Sequence, residues 1–235
     1  MKEWYERSNA VRWLVALVLL IGFAVLFGGP AFWIAAALGL DYGNPLHLGT
    51  VVVLQLVLLL PFWMLMANFF FAPLLRLAGS LRYYSPYLVV TRGRKGSRAL
   101  HGATLFDYVL WFRWSERGPR AVRKILTWYV EGLLALAREM DQGNIPRDTV
   151  FSATSFIFSA SLARRYGFRV EDGTRFSLGG LLTYPTQLLT YSFARGRWAL
   201  PPVFRSKRAT ITGAALCAQV DRLQRLRSRL IRTQA

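Results

Sequence analysis

The sequence predicts an α-helical membrane hairpin of two transmembrane helices followed by an α+β cytoplasmic domain. Two observations lead there. Between Arg12 and Arg76 the only ionised side chain is Asp41. That leaves two charge-free stretches, each longer than the ~20 helical residues needed to cross a bilayer core. From Arg76 onward the chain carries 27 of its 30 Lys and Arg but only 9 of its 12 Asp and Glu. The distal part therefore holds the whole net charge of +18.

In order along the chain, residues 1–12 read as a cytoplasmic N-terminus and residues 13–75 as the hairpin. The first apolar run, 13–40, is interrupted by Gly28-Gly29-Pro30, and a proline without a backbone donor kinks or breaks a span there. No small-x-small cleavage site follows it, which favours an uncleaved anchor over a signal peptide. The second run, from Leu48 to Leu75, contains Pro61, Gln55 and Asn68. The turn at 41–47 has no Lys or Arg, whereas Arg76, Arg82 and Arg92 follow the second run. By the positive-inside rule both termini face the cytoplasm and the protein resides in the inner membrane.

Residues 76–235 form the basic, membrane-apposed domain. Residues 87–91 (YLVVT) are apolar and β-branched between Pro86 and Gly93, which predicts a strand. Residues 104–112 (TLFDYVLWF) suit either a strand or the start of a helix. After Gly118-Pro119 the apolar residues Val122, Ile125, Leu126, Tyr129, Leu133, Leu136 and Met140 recur every three or four positions, the stripe of an amphipathic helix. It ends before Gly143-Asn144. A strand over 150–158, an N-cap at Ser159, a short helix, a C-cap at Gly167 and a strand over 168–170 follow. Residues 176–194 lack charge but are rich in Thr, Ser and Tyr and flanked by basic clusters, which predicts interfacial or core helices, not a third span. The terminal helix, 213–232, sets Leu216, Val220, Leu223, Leu226 and Leu230 against Arg222, Arg225, Arg229 and Arg232. A basic amphipathic helix of this kind suits an anionic membrane surface or an acidic partner.

The chemistry-bearing candidates are few. Arg92, Arg94, Lys95 and Arg98 share one glycine-containing loop, where backbone amides and forked guanidinium groups can hold an anion. A juxtamembrane loop that only sets topology would look the same. His101 and Asp107 form the nearest His–carboxylate pair, which is the minimum for acid–base catalysis. A hydrogen-bonding turn histidine is the plainer reading. No phosphate-loop or dinucleotide fingerprint occurs. One cysteine, Cys217, and two histidines do not make a metal centre, and no cofactor is called for.

Residues 159–169 (SASLARRYGFR) resemble the closing part of GNAT-type acetyltransferases, where a helix ends in a Tyr/Leu-x-Gly-Phe turn before a strand. The resemblance covers 11 residues of 235. The pyrophosphate-binding Q/R-x-x-G-x-G/A signature of that superfamily does not precede it, so no residue role is transferred.

A pI near 11.1 implies anionic partners. The leading expectation is a non-enzymatic inner-membrane protein. Its basic domain docks on anionic lipid or on an acidic partner within a transport, secretion or envelope-assembly complex. The rival is a membrane-bound transferase acting on a lipid-linked or phosphate-bearing substrate, with His101 and Asp107 as acid and base. A nucleic-acid binder is disfavoured, since the basic residues are interleaved with apolar ones and no recognition motif is present.

Overall fold

The computed structural model describes residues 14, 18, 21–22, 36–39, 44–53, 57, 60, 75, 79–93, 96–104, 107–108, 111–155, 159–173 and 183–232. The chain divides into two units, residues 1–73 and 74–235.

The first unit corrects the expected hairpin. Among the described residues no helix is long and apolar enough to cross a membrane. Two transmembrane helices, an inner-membrane location and two cytoplasmic termini are therefore not supported. Low charge density satisfied a rule of composition, and composition does not fix helix length. Gln55, Pro61, Asn68 and the 28–30 break lie outside the described residues.

The second unit is a six-stranded mixed sheet with helices. The strands are β1 (Leu81–Tyr83), β2 (Val89–Arg92), β3 (Arg98–His101), β4 (Val150–Ser155), β5 (Arg169–Asp172) and β6 (Lys207–Thr212), in the spatial order β1-β2-β3-β4-β6-β5. All neighbours are antiparallel except β3 and β4. A parallel pair needs a long crossover, and helix α1 (Pro119–Asp141) lies within it. Helices α2 (Ala160–Arg165), α3 (Tyr184–Arg195), α4 (Gly213–Cys217) and α5 (Val220–Arg232) complete the domain.

α1 forms where its stripe predicts, because Ile125, Tyr129, Leu133, Leu136 and Met140 bury against one sheet face. Strand alternation supplies that face. Phe151 and Ala153 of β4 and Ala209 and Ile211 of β6 are buried, while Thr154, Arg208 and Thr212 between them are exposed. The helix lies very close to the start of β2: a Cβ on Gly132 would sit 2.4 Å from the Leu88 Cβ. Glycine is the residue that permits this approach.

The terminal helix is two helices, α4 and α5, separated at residues 218–219. Leu216 and Leu223 are buried in the core, and Leu226 and Leu230 pack against it. Its apolar stripe thus faces this domain's own core, and its arginines face outward. Residues 104–112 begin a helical turn, with Tyr108 N donating to Thr104 O and Phe112 N to Tyr108 O. Within 176–194, residues 176–182 lie outside the described set, and α3 accounts for the rest.

Candidate functional site

The parallel pair builds the site. β3 and β4 are in register from Arg98–Phe151 to Leu100–Ala153. Beyond Ala153, β4 continues through Thr154 and Ser155, which pair only with Arg208 and Lys207 of β6. The β3–β4 register ends at that point. A cleft of about 250 Å³ opens there. Leu100 and Gly102 line one side, Ala153, Thr154 and Ser155 the other, and Val122, Ile125 and Tyr129 of α1 form the floor. A smaller apolar space of about 70 Å³ shares Leu126, Tyr129, Ala153 and Leu162 and extends toward Phe168 and Leu223. Ligands of open α/β sheets commonly bind beyond the carboxyl ends of parallel strands, as this cleft is placed to do.

Three tyrosines give the cleft its polar chemistry. Tyr87 and Tyr129 line it, and the Tyr87 hydroxyl lies 3.2 Å from that of Tyr108. Burial pushes the hydroxyls of Tyr87, Tyr108 and Tyr129 above the ordinary tyrosine value, and the neighbouring Tyr87 adds to the rise at Tyr108 and Tyr129. They stay protonated at neutral pH and serve as hydrogen-bond donors, not bases. Gly102 packs closely beside them, since a Cβ there would meet the Tyr87 oxygen at 3.0 Å.

The start of α1 precedes the residues that line this cleft, which begin on α1 at Val122. Gly118 takes a positive φ of 79° as its N-cap, and its N–H donates to Phe193 O at 2.9 Å. Arg117 and Arg120, on either side of Gly118-Pro119, are exposed. A helix N-terminus flanked by two guanidinium groups favours negative charge.

Of the residues singled out from sequence, His101 and Asp107 take separate partners. His101 sits at the end of β3, opposite Val89, and its Nε2 shares a 2.9 Å hydrogen bond with Thr91 Oγ1. Desolvation lowers its pKa, so it is neutral at pH 7. Asp107 is 1% exposed. Its Oδ2 accepts from the Thr104 N–H at 2.8 Å, the Thr104 hydroxyl at 2.8 Å and the Tyr83 hydroxyl at 3.1 Å. A carboxylate reaching back three residues to the first amide of a helical turn is one half of a capping box. Asp107 thus holds a helix start against β1.

Arg92 and Arg98 face each other across β2 and β3, at the mouth of a loop closed by Gly93 N donating to Ser97 O at 2.7 Å. Arg94 and Lys95 lie outside the described residues. Arg222, Arg225, Arg229 and Arg232 are all exposed on α5, while Arg227 on the same helix pairs with Glu131 of α1 at 2.9 Å. Among the described residues no cluster of His, Cys, Asp and Glu is suited to a metal ion.

Sequence reasoning missed the cleft and its tyrosines. Tyr87 and Tyr129 were visible only as members of an apolar strand and an apolar stripe. Residues 159–169 do fold as helix, glycine turn and strand, with Ser159 Oγ accepting from Leu162 N and Gly167 at φ 82°. No family model, no curated relative and no solved structure matches this chain.

Proposed function

We propose that residues 79–232 form a group-transfer domain whose donor is phosphate-bearing and lies in the β3–β4 cleft. The observation that carries this reading is the end of the parallel register after Leu100 and Ala153. A cleft beyond the carboxyl ends of two parallel strands is where open α/β sheets commonly take a ligand. The apolar walls suit a narrow chain. The buried tyrosine hydroxyls can donate to negative charge that develops during transfer. Coenzyme A thioesters, which join a phosphate-bearing end to a narrow chain with amide groups, are the donor class to test first.

Calorimetric titration of the full chain with coenzyme A and acetyl-coenzyme A tests the reading. Binding is expected, together with its loss in Leu162→Trp, which fills the cleft from its exposed rim. Absence of binding to the parent, or unchanged binding to a folded Leu162→Trp, would overturn it.

The outward row on α5 supports a second, compatible reading, that the domain docks on an anionic surface. Because the leucine stripe of α5 faces the core, such docking relies on charge alone. It should therefore vanish as salt shortens the Debye length from about 10 Å at 0.1 M to about 3 Å at 1 M.

A further inference from the structure

A second cavity, of about 610 Å³, lies beside the cleft and is built differently. Its walls are aromatic: the Tyr108 ring stacks on Phe112 at 5.0 Å, and Phe193 meets Phe112 edge-on at 5.4 Å. Trp114 and Trp198 stand on its rim, 74% and 69% exposed. Arg117 and Arg197 line it as well, both exposed. Among the described residues neither has a carboxylate partner, since the nearby Glu116 is held by Lys124 at 2.8 Å. The wall hydroxyls have donated inward. Ser192 Oγ bonds Ala199 O at 3.2 Å, and Thr190 Oγ1 bonds Thr186 O at 2.9 Å. Tyr108 is engaged with Tyr87.

We infer that this cavity binds an anionic amphiphile, a single apolar chain or ring system bearing a carboxylate or phosphate head. The volume falls within the usual range for small-molecule sites, roughly 300–1,000 Å³. Among the described residues the Ser192 and Thr190 hydroxyls are already engaged, and the aromatic walls accept an apolar body. The two guanidinium groups at the rim then fix the charged end. The Tyr87–Tyr108 hydrogen bond spans the partition between the two cavities, Tyr87 lining the cleft and Tyr108 this one.

The test uses the full chain and a fluorescent probe, 11-(dansylamino)undecanoate, with three competitors kept below their micelle concentrations. Dodecanoate and dodecyl phosphate should displace the probe, and dodecyltrimethylammonium should not. Arg117→Gln combined with Arg197→Gln should weaken probe binding about tenfold or more. Leu189→Trp, which fills the cavity from a partly exposed position, should abolish it. Leu162→Trp in the neighbouring cleft should leave it unchanged. Equal displacement by the cationic amphiphile, retained binding in a folded Leu189→Trp, or binding to anionic vesicles without binding of the monomeric probe would each overturn the inference. Loss of coenzyme A binding alone would sink the transferase reading and leave the amphiphile site standing.

Discussion

The two faces of the sheet in residues 79–232 carry different chemistry. The face under α1 is apolar: Phe151, Ala153, Ala209 and Ile211 lie with Leu133, Leu136 and Leu216 in one buried cluster, and the tyrosines at its edge stay protonated. On the other face, Ser152 and Thr210 are half-buried and Thr154, Arg208 and Thr212 are exposed. His101 and the Arg92–Arg98 pair lie at strand ends. Of the residues that look most reactive in sequence, Asp107 is buried but spent on a helix start, and Arg92 is exposed, where charges are screened. The residues with perturbed hydroxyls and shaped cavities are those that looked like packing. Exposure to low dielectric, more than residue type, marks a site.

The largest expected effect separates adjacent residues of β4. Phe151→Ala should destabilise by about 3–5 kcal/mol through its cavity. Ser152→Ala, on the opposite face, should stay within about 0.5 kcal/mol. Urea unfolding measures both, and comparable losses at the two positions would break the contrast.

Alkaline unfolding sharpens it next. Tyr87, Tyr108 and Tyr129 have folded pKa values raised above the ordinary value near 10. Their contribution is complete below the unfolded pKa and is lost as pH rises above it toward the folded values. The urea midpoint should hold from pH 8 to about 10 and fall beyond. Tyr87→Phe should fall less steeply, because one titrating group is gone. A parent midpoint that is flat to pH 11 would show that burial does not hold these groups neutral.

The smallest effect belongs to the hairpin mouth. Like charges directly opposite on paired strands repel, so Arg92→Gln should be neutral or slightly stabilising, by a few tenths of a kcal/mol. A loss above about 1 kcal/mol would mean that the pair holds structure together, contrary to its placement in solvent.

The sequence made some parts of this molecule legible. α1 was readable from its three-and-four spacing, bounded by Gly118-Pro119 and Gly143, because helix patterning is local. The Ser159 cap and the Gly167 turn were readable for the same reason. β1, β3 and β6 were not anticipated. They are three to six residues long, they mix Arg, Lys and Thr with apolar residues, and their stability comes from partners far along the chain. Asp107 invited a catalytic reading because sequence shows its neighbour His101 and hides the turn it caps. The charge-free stretches before Arg76 invited a hairpin because hydropathy records composition without helix length.

By itself, then, the sequence determined the basic charge, the main helix and the punctuation around it. Only tertiary structure decided that β3 and β4 run parallel for three register pairs. It also decided that the α5 leucines turn inward, and that Tyr87 and Tyr108 meet between two cavities. Each of these depends on segments separated by tens of residues, and no local pattern encodes where such segments come together.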